Sequence, residues 1–206
     1  MPSEPAARAI RLTTCSRLFS GAKANSGLLT FAFELLSSPE LAFASEKSRL
    51  QVVNLIARAA GSLGMVGGQA LDIDCEGKDI SFETLQFIHS HKTGALITAS
   101  VQAGAVLGGA APEQFKALTE YGEKIGLTFQ IVDDLLNVEG TLEQLGKAAG
   151  SDAARQKATY PAFFGVESTK EKVRTTSESA IYCLRDFGQQ AEPLRELARY
   201  IVNRKR

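Results

Sequence analysis

Two adjacent carboxylates and an amide interrupt one apolar stretch of the sequence, Gly126-Leu127-Thr128-Phe129-Gln130-Ile131-Val132-Asp133-Asp134-Leu135-Leu136-Asn137. On an α-helix, residues four apart share a face, so this spacing predicts that Asp133 and Asn137 project into the same space. Asp134 lies one step round the helix. Burying two charges costs free energy unless a cation or hydrogen bonds meet them. We therefore expect other parts of the chain to provide cations or donors at this pair.

The composition of the chain is that of a single globular, core-forming domain. Its 206 residues are 44% hydrophobic and 22% charged, which is an ordinary balance for such a domain. Lysine plus arginine and aspartate plus glutamate both number 23, so the formal net charge is zero. Because no global field attracts a nucleic acid, we predict no nucleic-acid partner, and any attraction for an anion must be local.

The cysteines are widely separated in the sequence, at Cys15, Cys75 and Cys183. Their spacing matches neither a disulfide framework nor a zinc motif, so we expect free thiols and a cytoplasmic location. No run of about 18 or more apolar residues occurs, so we also predict that the chain does not span a membrane.

Residues 1–27 differ in composition from the remainder of the chain. No acidic residue occurs between Glu4 and Glu34, while basic residues are spaced among serine, threonine and alanine. This pattern loosely resembles an organellar transit peptide; the alternative, which we favour, is an irregular or atypical N-terminal segment. We place the domain at residues 28–206.

Apolar residues recur at helical spacing along most of the chain, and no convincing alternating strand pattern occurs. We therefore predict an all-α fold, with small residues where buried helices pack closely. Ser45 is an expected N-cap, and Tyr160-Pro161 is expected to interrupt the helices. The predicted helices cover 28–36, 46–63, a segment from 81–83 to about 107, a segment from Pro112 through the aspartate pair, 167–187 and 191–203. Residues 140–158 are predicted to form a loop.

Three lysines lie at polar interruptions between apolar or tightly turning segments: Lys92, Lys147 and Lys157. Mg²⁺ prefers one or two carboxylates together with substrate phosphates, and lysine binds phosphate as a point charge. The residues therefore predict a diphosphate held through Mg²⁺ by Asp133 and Asp134 on one side and by lysine on the other.

Four stretches resemble, in order and spacing, the trans-isoprenyl (polyprenyl) diphosphate synthases of the farnesyl and geranylgeranyl type. Phe129–Asn137 is similar to the second aspartate-rich motif of that family. The others are similar to its Gly-Gly-Gln-x-x-Asp segment, its Lys-Thr element and its loop after the aspartates, at Gly67–Asp72, His91–Gly94 and Gly146–Pro161. One aspartate pair alone is a weak signal, whereas four motifs in the same order are a strong one.

The resemblance implies an isoprenoid-synthase-type helical bundle and a Mg²⁺-dependent prenyltransferase of isoprenoid biosynthesis. Members of this family condense isopentenyl diphosphate with an allylic diphosphate, so these two diphosphates are the expected substrates. The resemblance also implies a homodimer, or a heterodimer with a complete synthase.

The same resemblance assigns roles to individual residues. Those expected to be catalytic and to bind substrate are Lys92, Thr93, Gln130 and Lys157. Those expected to bind substrate only are Phe129, Lys147 and Arg204. The expected Mg²⁺ ligands are Asp133 and Asp134.

The chain departs from the family pattern in two places that bear on activity. The first aspartate-rich motif, DDxxD followed by paired arginines, does not occur before Leu28, so we interpret the chain as an N-terminally shortened member. Asn137 stands where the family has a third aspartate. Because half of a two-sided metal clamp is missing, two hypotheses stay open. One is a shortened enzyme; the other is a non-catalytic partner or regulatory subunit, or a decayed copy, of a complete synthase.

Several polar residues also have a purely structural explanation. Gln69 and Asp72 either bind substrate or join helices by hydrogen bonds. His89 and His91 are predicted to be packing residues rather than ligands. The basic end, Arg204-Lys205-Arg206, is either a frayed tail or a substrate contact.

Overall fold

A computed structural model describes residues 22–39, 44–139 and 158–204 of this chain. Within these ranges every regular element is helical, which confirms the all-α prediction. The α-helices are α1 (Ala22–Ser37), α2 (Glu46–Ala60), α3 (Met65–Asp74), α4 (Phe82–His89), α5 (Ala95–Leu107), α6 (Pro112–Glu139), α7 (Tyr160–Phe164), α8 (Val166–Cys183) and α9 (Glu192–Asn203). A π-helical turn, Ser90–Gly94, joins α4 to α5, and a 3₁₀ turn, Gln189–Ala191, precedes α9.

Serine side chains cap two of these helices at their N-termini. Ser45 Oγ accepts a hydrogen bond from the Ser48 N–H at 3.1 Å, and Ser81 Oγ accepts one from the Thr84 N–H at 3.3 Å. Both bonds satisfy backbone donors that have no partner inside the helix. The expected cap at Ser45 is confirmed.

Two predicted helices end earlier than the periodicity suggested. The one predicted at 46–63 ends at Ala60, where Gly61 begins a turn, and the one predicted at 167–187 ends at Cys183. After Cys183 the backbone closes tight turns, in which the Leu184 N–H donates to Ile181 O. The Arg195 guanidinium donates hydrogen bonds to the carbonyl oxygens of Leu184 and Phe187, at 2.8 and 2.6 Å. A side chain from α9 therefore stabilises the early end of α8.

The prediction that Tyr160-Pro161 interrupts the helices is wrong, because α7 begins there. Proline is tolerated in the first turn of a helix, where its missing N–H has no intrahelical acceptor. Gly165, at a φ of 77°, then separates α7 from α8 in a left-handed conformation that favours glycine. Of the loop predicted at 140–158, residues 140–157 lie outside the described residues.

The chain forms two compact units, divided between Val53 and Asn54. In the first unit, Arg49 Nη1 on α2 donates a hydrogen bond to Ser38 O, just after α1, at 2.7 Å. The second unit contains the remaining helices and the residues predicted to carry the chemistry.

Helix α6 runs through the core of the second unit. It contributes fully or nearly fully buried side chains along its length, among them Tyr121, Ile125, Ile131, Val132 and Leu135. Helices α8 and α9 close this core with the apolar residues Val173, Ala180, Leu184, Ala198 and Ile201. Because α6 contacts α5, α7, α8 and α9, its position determines where the residues at its C-terminal end lie.

Small residues allow α5 and α6 to pack closely, as predicted. A Cβ added at Gly122 would lie 3.0 Å from Thr98 Cα, and one added at Gly126 would lie 2.9 Å from Gly94 Cα. Both distances are shorter than an ordinary carbon contact. The two glycines are four residues apart, so they form one smooth stripe on α6 that faces α5 and the π-helical turn.

Residues Glu46–Asp74 are long and apolar enough to cross a membrane when judged by length and composition alone. Core helices pass the same test, and the structure breaks this segment at the turn Gly61–Gly64. The absence of a membrane span stays a prediction. In the described part of the chain, Cys75 and Cys183 are free thiols, as expected.

The buried hydroxyl of Tyr121 provides a test of this packing. Its Oη donates a 2.7 Å hydrogen bond to Leu194 O on α9, and burial raises the pKa of Tyr121 to about 12. We expect Tyr121→Phe to lower the free energy of unfolding by about 1 kcal/mol, because one buried hydrogen bond is lost. Urea denaturation measures the change. Tyr182→Phe, which alters an exposed ring, is the control, and an equal loss in both variants would contradict the assignment.

Candidate active site

The two adjacent carboxylates on α6 lie in different environments. The Asp133 side chain is 48% exposed, whereas that of Asp134 is 9% exposed. Successive residues on a helix point about 100° apart, so one carboxylate faces outward while its neighbour faces the core. Asn137, one turn later, is also buried. The pair is therefore not a symmetric ligand set.

Asp134 contacts two other elements. Its Oδ2 accepts a 2.8 Å hydrogen bond from the backbone N–H of Tyr160, at the start of α7. Its Oδ1 lies 3.7 Å from His89 Nε2, at the end of α4. A buried carboxylate is stabilised by such donors, and these contacts tie α4, α6 and α7 together.

His89 is a neutral residue at neutral pH. Burial penalises its charged form and lowers its pKa to about 4, although Asp72 acts in the opposite direction. Lys92 lowers the pKa further, which places Asp72, Lys92 and His89 in one neighbourhood. The imidazole stacks on the Tyr160 ring at an interplanar angle of 12°.

Lys92 lies on the π-helical turn, Ser90–Gly94. Its Nζ donates a 2.8 Å charge-assisted hydrogen bond to Asp72 Oδ2 on α3. The lysine is one third exposed, and Asp72 is largely buried. Asp72 therefore joins α3 to the turn. π-Helical turns inside α-helices are frequent at functional sites, and this one re-aims the residues that follow His89.

Close backbone packing sets the position of this turn. A Cβ added at Gly68 on α3 would lie 2.3 Å from the Lys92 N atom. On its other side the turn meets Gly126 of α6 through Gly94. The turn is therefore held between α3 and α6.

Arg204 follows α9 and lies against the aspartate helix. Its guanidinium carbon is 3.9 Å from the centre of the Phe129 ring, a cation–π arrangement. Its Nη2 donates to Phe129 O at 3.1 Å and lies 3.4 Å from Asp133 Oδ1. Burial lowers the pKa of Arg204, and Asp133 opposes that shift. Arg204 is thus held in place, whereas Lys205 and Arg206 lie outside the described residues.

The structure brings together only part of the predicted site. Asp133, Phe129 and Arg204 form one contact group. Asp134 and Lys92 belong to a second group, which also contains His89. Thr93 and Gln130 are half-buried on the π-helical turn and on α6. Lys147 and Lys157 lie outside the described residues. These assignments stay predictions.

Sequence reasoning missed the contacts that hold the site. His89 was predicted to be a packing residue, and it does pack, but against Asp134. The backbone donor of Tyr160 and the π-helical turn have no signature in the sequence. For Asp72, of the two roles left open, the contact with Lys92 supports the joining of helices.

The described donor groups suit Mg²⁺ only together with a ligand. In the described ranges, no group of three or more histidine, cysteine, aspartate or glutamate residues forms a ready metal cage. Mg²⁺ typically uses one or two carboxylates plus substrate phosphates and water. The half-exposed Asp133 carboxylate, with Asp134 beside it, fits that mode.

The fold and these residues define an all-α protein whose longest helix carries paired carboxylates near a lysine-bearing turn. The family model described as Polyprenyl synthetase matches residues 20–199. The chain belongs to this family, and its resemblance to the trans-isoprenyl diphosphate synthases is confirmed.

Three relatives show the extent of the similarity. The chain is 40% identical over 200 residues to farnesyl diphosphate synthase of Escherichia coli, covering 94% of this chain and 67% of the relative. It is 38% identical over 181 residues to heterodimeric geranylgeranyl pyrophosphate synthase large subunit 2 of Arabidopsis thaliana, covering 86% and 47%. Geranyltransferase of Helicobacter pylori, in a structure complexed with magnesium and isoprenyl diphosphate, matches with a TM-score of 0.69 at 30% identity, covering 88% and 61%. The chain thus spans between about half and two thirds of these relatives.

The contact of Gly68 with the Lys92 backbone provides a test of the site's geometry. We expect Gly68→Ala to lower the free energy of unfolding by about 1–3 kcal/mol, because the new methyl group must displace backbone. The matched control is Gly104→Ala, inside α5, where an added Cβ meets nothing within 4 Å. The control is expected to be more stable than wild type by up to about 1 kcal/mol, from helix propensity. Urea denaturation of both variants measures the change in the free energy of unfolding. An equal change in the two variants would rule out the close approach of Gly68 to the Lys92 backbone.

Proposed function

We propose that this chain carries one side of a prenyltransferase site that condenses isopentenyl diphosphate with an allylic diphosphate. Membership of the Polyprenyl synthetase family supports the reaction class. The observation that carries the proposal is the difference in burial between the two aspartates of α6. Asp134 is buried and hydrogen-bonded, while Asp133 is half-exposed. Such a pair offers a carboxylate to a ligand from a rigid helix.

The proposed reaction begins with loss of the allylic diphosphate. Its C–O bond breaks, the electron pair leaves with the diphosphate, and an allylic carbocation remains. The double bond of isopentenyl diphosphate then attacks this cation, a C–C bond forms, and a proton is lost. Negative charge on the departing diphosphate is the main quantity that the site must stabilise.

The described residues have the charges for this task. Lys92 supplies a fixed, partly exposed cation, and its bond to Asp72 limits the orientations that its ammonium group adopts. Thr93 and Gln130 are proposed to contact the substrate near the reacting carbon, and Phe129 offers a ring face to positive charge. Lys147 and Lys157, outside the described residues, are proposed as further diphosphate contacts.

Mg²⁺ bound at Asp133 and Asp134 would neutralise charge on the leaving diphosphate. Asp133 is the carboxylate that presents open oxygen atoms, and Asp134 is proposed to contribute from its buried position behind it. Arg204 Nη2 lies 3.4 Å from Asp133 Oδ1, so it offsets the charge of that carboxylate. We propose that Arg204 contacts diphosphate when substrate is bound.

Mg²⁺-dependent condensation of labelled isopentenyl diphosphate with geranyl diphosphate tests the proposal. We expect product from the purified chain, and a loss of about 100-fold or more in kcat for Asp133→Asn, because transition-state charge loses its counter-charge. Chelation of Mg²⁺ is expected to abolish the reaction.

Two controls make this assay decisive. Asp186→Asn removes a carboxylate that is 80% exposed and is expected to leave the rate unchanged. A complete farnesyl diphosphate synthase run in parallel shows that the assay detects product. Absence of product from a chain that unfolds cooperatively would refute catalysis by this chain and favour the non-catalytic alternative.

The second candidate function is that of a partner subunit paired with a complete synthase. The similarity to the large subunit of a heterodimeric synthase favours considering it. Three large apolar side chains of α3 and the turn before it are exposed in the described part of the second unit: Leu63, Val66 and Ile73. Exposed apolar patches commonly mark an interface.

We expect the purified chain to form a homodimer at micromolar concentration, because a second copy would cover these apolar side chains. Equilibrium sedimentation measures the molar mass. A stable monomer that becomes a 1:1 complex on addition of a complete synthase would replace the homodimer with the heterodimer. A monomer that binds neither itself nor the synthase would contradict both.

A further inference from the structure

We propose that His89 is a positioning residue that directs its Nε2–H at Asp134 and thereby orients that buried carboxylate beside Asp133. This inference rests on the proposed function, because it concerns how the aspartate pair meets Mg²⁺ and diphosphate. Nothing in the motifs of the sequence points to it, since His89 precedes the Lys-Thr element and belongs to none of the four stretches.

The first argument is the geometry around Asp134. His89 is 6% exposed, and its Nε2 is the ring atom that faces the carboxylate, 3.7 Å from Oδ1. The other carboxylate oxygen, Oδ2, accepts the Tyr160 N–H. The imidazole also stacks on the Tyr160 ring, with centroids 5.6 Å apart. Tyr160 therefore holds Asp134 by its backbone and His89 by its ring.

The second argument concerns the tautomer of His89. A neutral imidazole carries one N–H, and in the described residues Nδ1 has no hydrogen-bond partner. A proton on Nδ1 would leave a buried N–H without an acceptor and would set the lone pair of Nε2 against the carboxylate. A proton on Nε2 instead faces the carboxylate and leaves only the acceptor Nδ1 without a partner. The ring is therefore a donor directed at Asp134.

The third argument is the length of the contact. At 3.7 Å it is longer than a formed hydrogen bond, so the attraction is electrostatic. Contacts of this kind commonly tighten when the ligand binds. A carboxylate that approaches a cation needs its remaining oxygen atoms held in place, and the partners behind metal-binding carboxylates perform that task. His89 stands in that position.

Three substitutions at His89 separate positioning from packing. In His89→Gln the amide nitrogen lies near the place of Nε2, in His89→Asn it lies near the place of Nδ1, and in His89→Leu no donor remains. The control is His91→Gln, because His91 stacks on Phe87 and its Nδ1 bonds Phe87 O, away from the aspartates. All four variants are first compared by urea denaturation.

The readouts are kcat, the Mg²⁺ concentration for half-maximal rate, and calorimetric binding of Mg²⁺ with inorganic diphosphate, which needs no turnover. We expect His89→Asn and His89→Leu to weaken Mg²⁺-diphosphate binding by about 10-fold or more, as for other outer partners of metal sites. His89→Gln is expected to restore most of the binding, and His91→Gln to match wild type.

The outcomes distinguish this inference from the proposed function. If wild type binds Mg²⁺ with diphosphate and His89→Leu binds equally well, the positioning role is overturned and the proposed function stands. Equal losses in His89→Gln and His89→Asn would also overturn it, because packing alone explains them. If wild type binds but makes no product, catalysis fails while the positioning role is still measured by binding. If wild type does not bind Mg²⁺ with diphosphate, both are overturned.

Discussion

The hydrogen bond from the Tyr160 N–H to the buried carboxylate of Asp134 is the contact on which the second unit depends. It joins residues 26 apart in sequence, at 2.8 Å, and it satisfies a charge that would otherwise destabilise the core. Because the donor is a backbone group at the first residue of α7, the bond also sets where α7 begins. Helix α8 begins at Val166, directly after α7 and Gly165.

The same bond makes the aspartates unequal. Asp134 is buried and held by the Tyr160 N–H, so Asp133 is the carboxylate that presents open oxygen atoms, with Asp134 behind it, and the rigidity of α6 fixes the direction of Asp133. Arg204 lies beside Asp133 and above Phe129, so the end of α9 completes this side of the site. The arrangement is consistent with electrostatic stabilisation by groups held in place before the substrate arrives.

The position of Lys92 depends on glycines, which have no side chain to separate the helices. Gly68, Gly94 and Gly126 allow α3, the π-helical turn and α6 to approach more closely than any Cβ would permit, and Lys92 takes its position from that approach. Asp72 then holds the ammonium group. The sequence motifs contain Gly68, Gly94 and this aspartate, and Gly126 begins the apolar stretch that leads to the aspartate pair. Their shared role is visible only once the three segments are side by side.

Local signals were enough to predict most helices, the cap at Ser45, the all-α class and the aspartate helix, because helical periodicity, capping and intrahelical spacing act within a few residues. The motifs, read in order, were enough to indicate the family. Only the tertiary structure decided which aspartate is buried, that His89 and the Tyr160 N–H face it, that Arg204 lies on Phe129, and that Tyr160-Pro161 starts a helix. These features arise from contacts between segments far apart in the chain, where burial and partner geometry, rather than residue type, set the energy of each charge.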